Sequence, residues 1–375
     1  MVIPMKIFYE LAECFSSDKN LKVLGWDEFF HENASDTEVP ARVVSVNKDL
    51  FALSQGGKDL QATLSGKVRY KAGVPNSEGL FPVTGDWVLV RDSVITRVLP
   101  RRNTLSRGAA GGRGKNSDAA TEEQIMAANL DTVLIVCGLD RDYNVRRIER
   151  YLTLVYNCNL SPAIVLTKAD LHEDPLGCVD EVEGVAFGVP VHLVSAEDEV
   201  GVLELEQYLS SGKTVSMIGS SGAGKSTLLN RLYGESVQQT GSVSQSVGKG
   251  RHTTTGRDLI IMPQGGMLID NPGIREIAFY SNDGGVEDAF ADIEQYARYC
   301  RFSDCDHLND PGCNVLKAVT NEELSAERLE SYYKMKRELD YLSQRQYKTA
   351  DRVEKERWRD IALHIKKMKK TRKKG

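Results

Sequence analysis

The chain has 375 residues, 41% of them hydrophobic and 27% charged, which is enough apolar material for two or three packed domains and excludes a wholly disordered chain. Its net charge of -5 conceals a split: the last 31 residues, from Arg345, hold 13 basic and four acidic side chains, so the tail is +9 and the preceding 344 residues are -14. A basic end of this kind suits a polyanionic partner, an anionic membrane surface or a solvated charged helix, whereas no apolar run reaches membrane-spanning length.

Residues 1–40 form a mixed, partly helical lead. Lys6, Glu10 and Glu13 interrupt its start, so no secretion signal is expected, and the aromatic patch Trp26, Phe29, Phe30 is assigned to packing. Residues 41–100 change to short alternating runs, Ala41 to Val46, Leu50 to Ser54, Gln61 to Leu64, Trp87 to Arg91 and Val94 to Val98. They are broken by turn residues such as Asn47-Lys48-Asp49, Gly56-Gly57 and Gly85-Asp86, which predicts a small β-barrel of the OB type. Residues 101–128 are a basic, glycine-rich linker, with Arg101 to Asn116 expected as an exposed, mobile loop able to touch nucleic acid.

Over residues 129–283 strands and helices alternate: strand Thr132 to Cys137, helix Val145 to Asn157, strands Ala163 to Leu166 and Val191 to Val194, helix Val202 to Leu209, strand Thr214 to Ile218. That rhythm predicts a parallel sheet covered on both faces. Residues 284–344 are predicted to be helical around a cysteine cluster, and residues 345–375 are the basic tail.

The sharpest motif is Gly219-Ser220-Ser221-Gly222-Ala223-Gly224-Lys225-Ser226-Thr227, a GxxxxGK[ST] loop between a strand and the helix Leu228 to Tyr233. Its glycines let backbone N–H groups approach phosphate oxygens, Lys225 reaches the outer phosphates and Ser226 can ligate Mg²⁺, with the helix N-terminus adding a favourable dipole. Which base is bound is carried by other residues. Thr167-Lys168-Ala169-Asp170 ends the Ala163 strand and matches [NT]KxD: Asp170 can accept both donors on the guanine edge, which adenine lacks, and Lys168 can lie along the base. Ser195-Ala196 follows the Val191 strand, where a guanine-contacting loop is expected. Asp270-Asn271-Pro272-Gly273 matches DxxG, with Asp270 toward Mg²⁺ and the Gly273 amide toward a γ-phosphate. The Ser- and Gly-rich stretch Ser242 to Gly250 leads into Gly250-Arg251-His252-Thr253-Thr254-Thr255, in which Thr254, or a neighbouring threonine, completes the Mg²⁺ shell. Ile274 stands where many such enzymes carry a water-orienting glutamine, so His252 is the nearest candidate for that task, alongside a purely structural role. Because the base-reading elements precede the P-loop, the motif order is that of a circularly permuted GTPase. DxxG then leads directly into the C-terminal region.

That region opens with Cys300-x4-Cys305-x-His307-x5-Cys313. Three thiolates and one imidazole make a closed tetrahedral set for one structural Zn²⁺, and seven cysteines in all are an odd number that fits a metal site better than a disulfide framework.

Taken together, Thr167 to Asp170, Gly219 to Thr227, Gly250 to Thr255, Asp270 to Gly273 and the zinc spacing resemble the ribosome small subunit-dependent GTPase A family over roughly residues 41–342. The resemblance implies a multidomain chain: an OB-type barrel, a permuted α/β P-loop GTPase and a C-terminal zinc-binding helical domain. It implies a cytoplasmic GTP hydrolase, expected to be a monomer and not membrane-bound, that binds GTP and GDP with Mg²⁺. It also implies docking on the 30S subunit and its 16S rRNA late in maturation, with faster hydrolysis when docked. With such a partner, the basic tail is expected to contact rRNA. Two alternatives keep the P-loop but change the activity: a nucleotide-gated RNA-binding module with negligible hydrolysis, and a P-loop kinase of a small metabolite.

Overall fold

The computed structural model describes residues 20–34, 37–73, 81–108, 123–141, 143–195, 198, 200–234, 258–270, 284–347 and 359. Its residues group into two units, one of Met1–Leu105 with Ile125–Glu276 and one of Ser106–Gln124 with Ile277–Gly375.

In the first unit a short helix, Glu28–Glu32 (α1), precedes five strands: Val39–Asn47 (β1), Leu50–Ser54 (β2), Asp59–Leu64 (β3), Trp87–Arg91 (β4) and Val94–Val98 (β5). They pair in the order β1-β2-β3-β5-β4, and β4 closes back onto β1, so the barrel has no free edge. Alternate residues fill it, Val43, Phe51, Leu53, Ala62, Val88 and Ile95 among them. Register shifts at Val43/Ser45 and Leu89/Val90 bend the two long pairings around the closure. A helix the alternation did not announce, Gly66–Gly73 (α2), follows β3 and lends Val68 to the core; glycine at both ends and scattered Lys and Arg hide its periodicity. The aromatic patch of the lead packs as expected. Trp26 and Phe30 are buried and Trp26 meets Trp87 edge to face at 4.7 Å, a favourable aromatic geometry.

Part of the predicted linker is ordered strand. Thr104–Gly108 (β6) and Glu123–Ala128 (β7) make a two-stranded sheet, which corrects the expectation of a loop from Arg101. Leu105 and Met126 to Ala128 are buried apolar residues, and they, rather than the flanking glycines and arginines, decide the structure there. Residues 109–122 lie outside the described residues.

Further elements of the first unit are Thr132–Gly138 (β8), Val145–Asn157 (α3), Ser161–Thr167 (β9), Pro175–Glu183 (α4), Val191–Leu193 (β10), Thr214–Ile218 (β11), Lys225–Tyr233 (α5), Asp258–Ile261 (β12) and Met267–Asp270 (β13). Strands β10, β9, β8, β11 and β13 run parallel in that order. Their continuous apolar runs, such as Val133 to Cys137, are buried on both faces. Helix α3 forms where Asn144 caps the Arg147 N–H and Ile148, Tyr151, Leu152 and Val155 make one buried stripe. The predicted helix Val202 to Leu209 is instead a 3₁₀ helix, Leu203–Leu209. It lacks a side-chain cap and anchors only Leu205 and Leu209, too little to hold a longer α-helix.

Strand β12 turns antiparallel to β13 and pairs with β1 at Ser45↔Asp258, so sheet and barrel form one eleven-stranded run. Arg42 of β1 is buried at this junction. It donates to Leu24 O at 2.7 Å, Asn129 O at 3.1 Å and Thr214 Oγ1 at 3.2 Å, and its guanidinium lies 5.4 Å from the Trp87 ring centroid. Burial lowers its pKa to about 10, and the neighbouring Asp86 carboxyl, pushed up by burial, is held by two bonds from Arg101 at 2.7 and 2.6 Å. Gly85 must be glycine here: its φ is +91° and a Cβ would sit 2.2 Å from Ala128 O.

The second unit contains Gly285–Ala289 (α6), Ala291–Ala297 (α7), Asn314–Thr320 (α8) and Ala326–Tyr347 (α9). Phe290, Ile293, Val315, Leu329, Tyr332 and Leu339 are buried. Buried Arg328 forks onto Asp292 at 2.9 and 3.0 Å, donates to Ala289 O at 2.8 Å and covers the Phe290 ring at 4.2 Å. Among the described residues no helix is long and apolar enough to cross a membrane.

Candidate nucleotide site and metal centre

Parallel strands deliver their carboxyl ends to one edge of a sheet, the usual place for a ligand in an open α/β fold. Here β11 ends in the P-loop, β9 in Thr167, β8 in Gly138 and β13 in Asp270. Gly219 leaves β11 at φ +150°, and a Cβ there would lie 2.1 Å from Val136 O; Gly224 sits at φ +90° with Thr167 Oγ1 at 3.1 Å from where its Cβ would be. The loop therefore packs too tightly for side chains at both ends, as a backbone cradle requires. Lys225 begins α5 and curls back, its ammonium donating to Gly219 O at 2.7 Å and Ser220 O at 2.6 Å. Burial lowers its pKa, against the pull of Asp270. Burial likewise raises the Asp270 carboxyl, opposed by Lys225 and reinforced by Asp258. Two half-buried opposite charges, one on the P-loop and one at the end of β13, are each poorly solvated, so the arrangement favours an incoming polyanion with a cation. Ser226 and Thr227 are exposed at the first turn of α5.

The Thr167 side chain joins the base loop to the phosphate loop. Buried Thr167 donates from Oγ1 to Ala223 O at 2.6 Å. Lys168 follows in the left-handed region at φ 61°, and its ammonium pairs with Asp140 at 2.5 Å. Asp170 is exposed and receives a bond from buried Ser195 Oγ at 2.8 Å, while Ala169 N donates to Val194 O at 3.3 Å. A TKAD strand end, the serine of the next strand end and the P-loop thus meet as the motif spacing required. Asp140 was missed by sequence reasoning. The signal that could have found it is its place two residues beyond the apolar strand β8. Ala196, His252, Thr254, Gly273 and the whole of Ser242 to Gly250 lie outside the described residues.

In the second unit Cys300, Cys305, His307 and Cys313 bring their ligand atoms within 4.8 Å of one another. The donor set fits a tetrahedral metal: Sγ of Cys300 and Cys313 are 3.8 Å apart, and His307 Nδ1 lies 3.6 and 3.5 Å from them. Thiolates on one zinc ion are separated by about 3.7 Å. His307 adopts φ 60°, with its carbonyl accepting from the Tyr333 hydroxyl at 2.5 Å; the strained backbone aims Nδ1 inward. Burial, with Lys336 adding to it, lowers the His307 pKa and so favours the neutral, ligating imidazole. Against the upward push of burial, N–H bonds from Val315 and Asn314 hold the Cys300 thiol below its ordinary value, the outer-shell donation that supports a metal-bound sulfur. Among the described residues this is a cluster that could hold a metal ion.

A parallel sheet carrying a P-loop, with the base-reading strand before it in the chain, defines the class: a circularly permuted P-loop GTPase fused to an OB-type barrel and a Cys₃His helical unit. The RsgA GTPase family model matches residues 98–280. A relative from Methanosarcina acetivorans named small ribosomal subunit biogenesis GTPase RsgA is 42% identical, covering 96% of this chain and 91% of the relative. One of the same name from Opitutus terrae is 40% identical over 91% of this chain and 95% of its own length. Crystal structures agree: YjeQ from Thermotoga maritima has a TM-score of 0.60 and 29% identity, with 80% of this chain and 98% of that one covered. YloQ, described as a circularly permuted GTPase, shares the fold at a TM-score of 0.55 and 20% identity, over 83% of this chain and 97% of its own. The chain belongs to the RsgA GTPase family, whose members hydrolyse GTP.

Proposed function

We propose that this GTPase assists late maturation of the small ribosomal subunit, docking on the 30S particle and its 16S rRNA with GTP bound and leaving after hydrolysis. The observation that carries the guanine reading is the Thr167 bond to Ala223 O at 2.6 Å, because it makes the base loop and the phosphate cradle one construction. In this reading the backbone from Gly219 to Thr227 and the ammonium of Lys225 hold the phosphates. Lys168 lies along the base, Asp170 accepts the guanine edge while Ser195 Oγ donates to that carboxylate, and the Ser195-Ala196 loop faces the guanine oxygen. Ser226, Thr254 and Asp270 would hold Mg²⁺, which would neutralise the β- and γ-phosphate oxygens. Gly273 would sense the γ-phosphate. Ile274 cannot orient water, and His252 takes that role. The Cys₃His cluster would hold one Zn²⁺, which supplies cross-linking of the second unit rather than chemistry. The partner assignment is drawn from the names of the relatives and from the +9 tail; the protein acts as a cytoplasmic monomer.

GTP turnover of the full chain is measured with and without purified 30S subunits, and with ATP in place of GTP. Strong stimulation by subunits on GTP alone is the expected result. Equal use of ATP and GTP would point to a kinase, and binding without turnover to a gated RNA-binding module.

A further inference from the structure

The loop after β8 contributes a charged group to the nucleotide site that no motif accounts for. Asp140 Oδ2 lies 2.5 Å from Lys168 Nζ, with the two side chains 30% and 29% exposed. The lysine stem runs over the bare backbone of Gly138, where a Cβ would come 3.4 Å from Lys168 Cδ and 3.4 Å from Asp140 Oδ1. Asp140 is itself held on both sides: the preceding Leu139 N donates to Thr167 O at 2.8 Å, and Asp140 O accepts from Tyr143 N at 3.0 Å, just before the Asn144 cap of α3. A lysine stem free in solution samples many rotamers, and fixing it at binding costs affinity. Anchored at its far end and laid across Gly138, the stem is already an extended apolar shelf.

We propose that Asp140 is a positioning residue for nucleotide binding, holding the Lys168 stem flat as the shelf on which the purine ring lies. This rests on the reading that Lys168 and Asp170 form the base site. It divides the labour there. Asp170 selects guanine through hydrogen bonds, while the Asp140–Lys168 pair raises affinity for any purine, because methylene contact does not distinguish ring substituents.

The test is a double-mutant cycle on the full chain with fluorescent GDP and fluorescent IDP, using wild type, Asp140→Asn, Lys168→Met and the double variant. Asp140→Asn weakens both nucleotides by about the same factor, about fivefold at low salt, and adds nothing in the Lys168→Met background. The gap to wild type narrows at high salt, since a half-exposed pair is screened; a folding defect would keep the gap open. Wild-type affinity in Asp140→Asn, fully additive effects in the double variant, or a loss confined to GDP overturns the proposal. If Lys168→Met and Asp170→Asn both bind GDP like wild type, the base-site reading itself has failed. If those two weaken binding and Asp140→Asn does not, only the shelf has failed.

Discussion

The two sites of this molecule are built in opposite ways. The Cys₃His cluster comes from one stretch, Cys300 to Cys313, and the fold there needs little more than a turn to bring three sulfurs and a ring nitrogen within 4.8 Å of one another. The nucleotide site is collected from strand ends between Asp140 and Asp270, and it exists only because parallel strands deliver their carboxyl ends to one edge. A local site depends on its ligand; a distributed site depends on the core behind it. The expected consequences of damage differ accordingly.

The largest effect is expected at the cluster. Without a metal, burial pushes the Cys305 thiol up to about 12, so a protonated thiol faces an imidazole and two other sulfurs with no ion to join them. Structural zinc sites contribute about 10 kcal/mol or more to the folding of small domains. Cys313→Ser is therefore expected to abolish metal content and to unfold α7 to α9, read by metal analysis and by hydrogen exchange resolved along the chain. GDP affinity at the P-loop should stay within about twofold, because none of its groups comes from this stretch. A collapse of GDP binding in that variant would break the contrast between a local and a distributed site.

The next effect tests what stands behind the distributed site. Arg42 bonds at once to the lead, to the segment before β8 and to the first residue of β11. Arg42→Met removes three donor contacts inside the protein and leaves Asp86 with one cation fewer beside it, a loss of about 3 to 5 kcal/mol for a broken buried charge network. The first unit should melt earlier by chemical denaturation while metal content stays intact. Unchanged stability would show that the barrel and the sheet do not depend on this junction.

How much of this was legible in the chain follows the same division. The Cys₃His cluster could be picked out from spacing alone, and the P-loop, TKAD and DxxG could be ordered into a permuted sheet because each ends an apolar strand. Arg42 could not be found: it is a single arginine inside an alternating strand, and its value comes from Leu24, Asn129 and Thr214, which no local pattern links to it. Asp140 is a middle case: its place just beyond an apolar strand was legible, but its pairing with Lys168 on another strand end was not. Strand β12 escaped notice as four residues, Asp258–Ile261, too short for a period to show, yet it is the strand that joins sheet to barrel.

The smallest effect is the one that isolates the coupling of the two nucleotide loops. Thr167→Val keeps the shape and burial of the side chain but deletes the hydroxyl that reaches Ala223 O at 2.6 Å and Cys137 O at 3.4 Å. A neutral buried hydrogen bond is worth about 1 kcal/mol, or about fivefold in Kd, so GDP and GTP affinities should fall by that factor together. The fall should appear in the dissociation rate, since the loop is loosened rather than the encounter slowed. Turnover at saturating GTP should be unchanged, because the Thr167 hydroxyl is spent on backbone carbonyls of Ala223 and Cys137 and is assigned no part in the chemistry. If saturating turnover dropped while affinity held, Thr167 would be placing the P-loop for chemistry, and the base loop would belong to the hydrolytic machinery as well as to recognition.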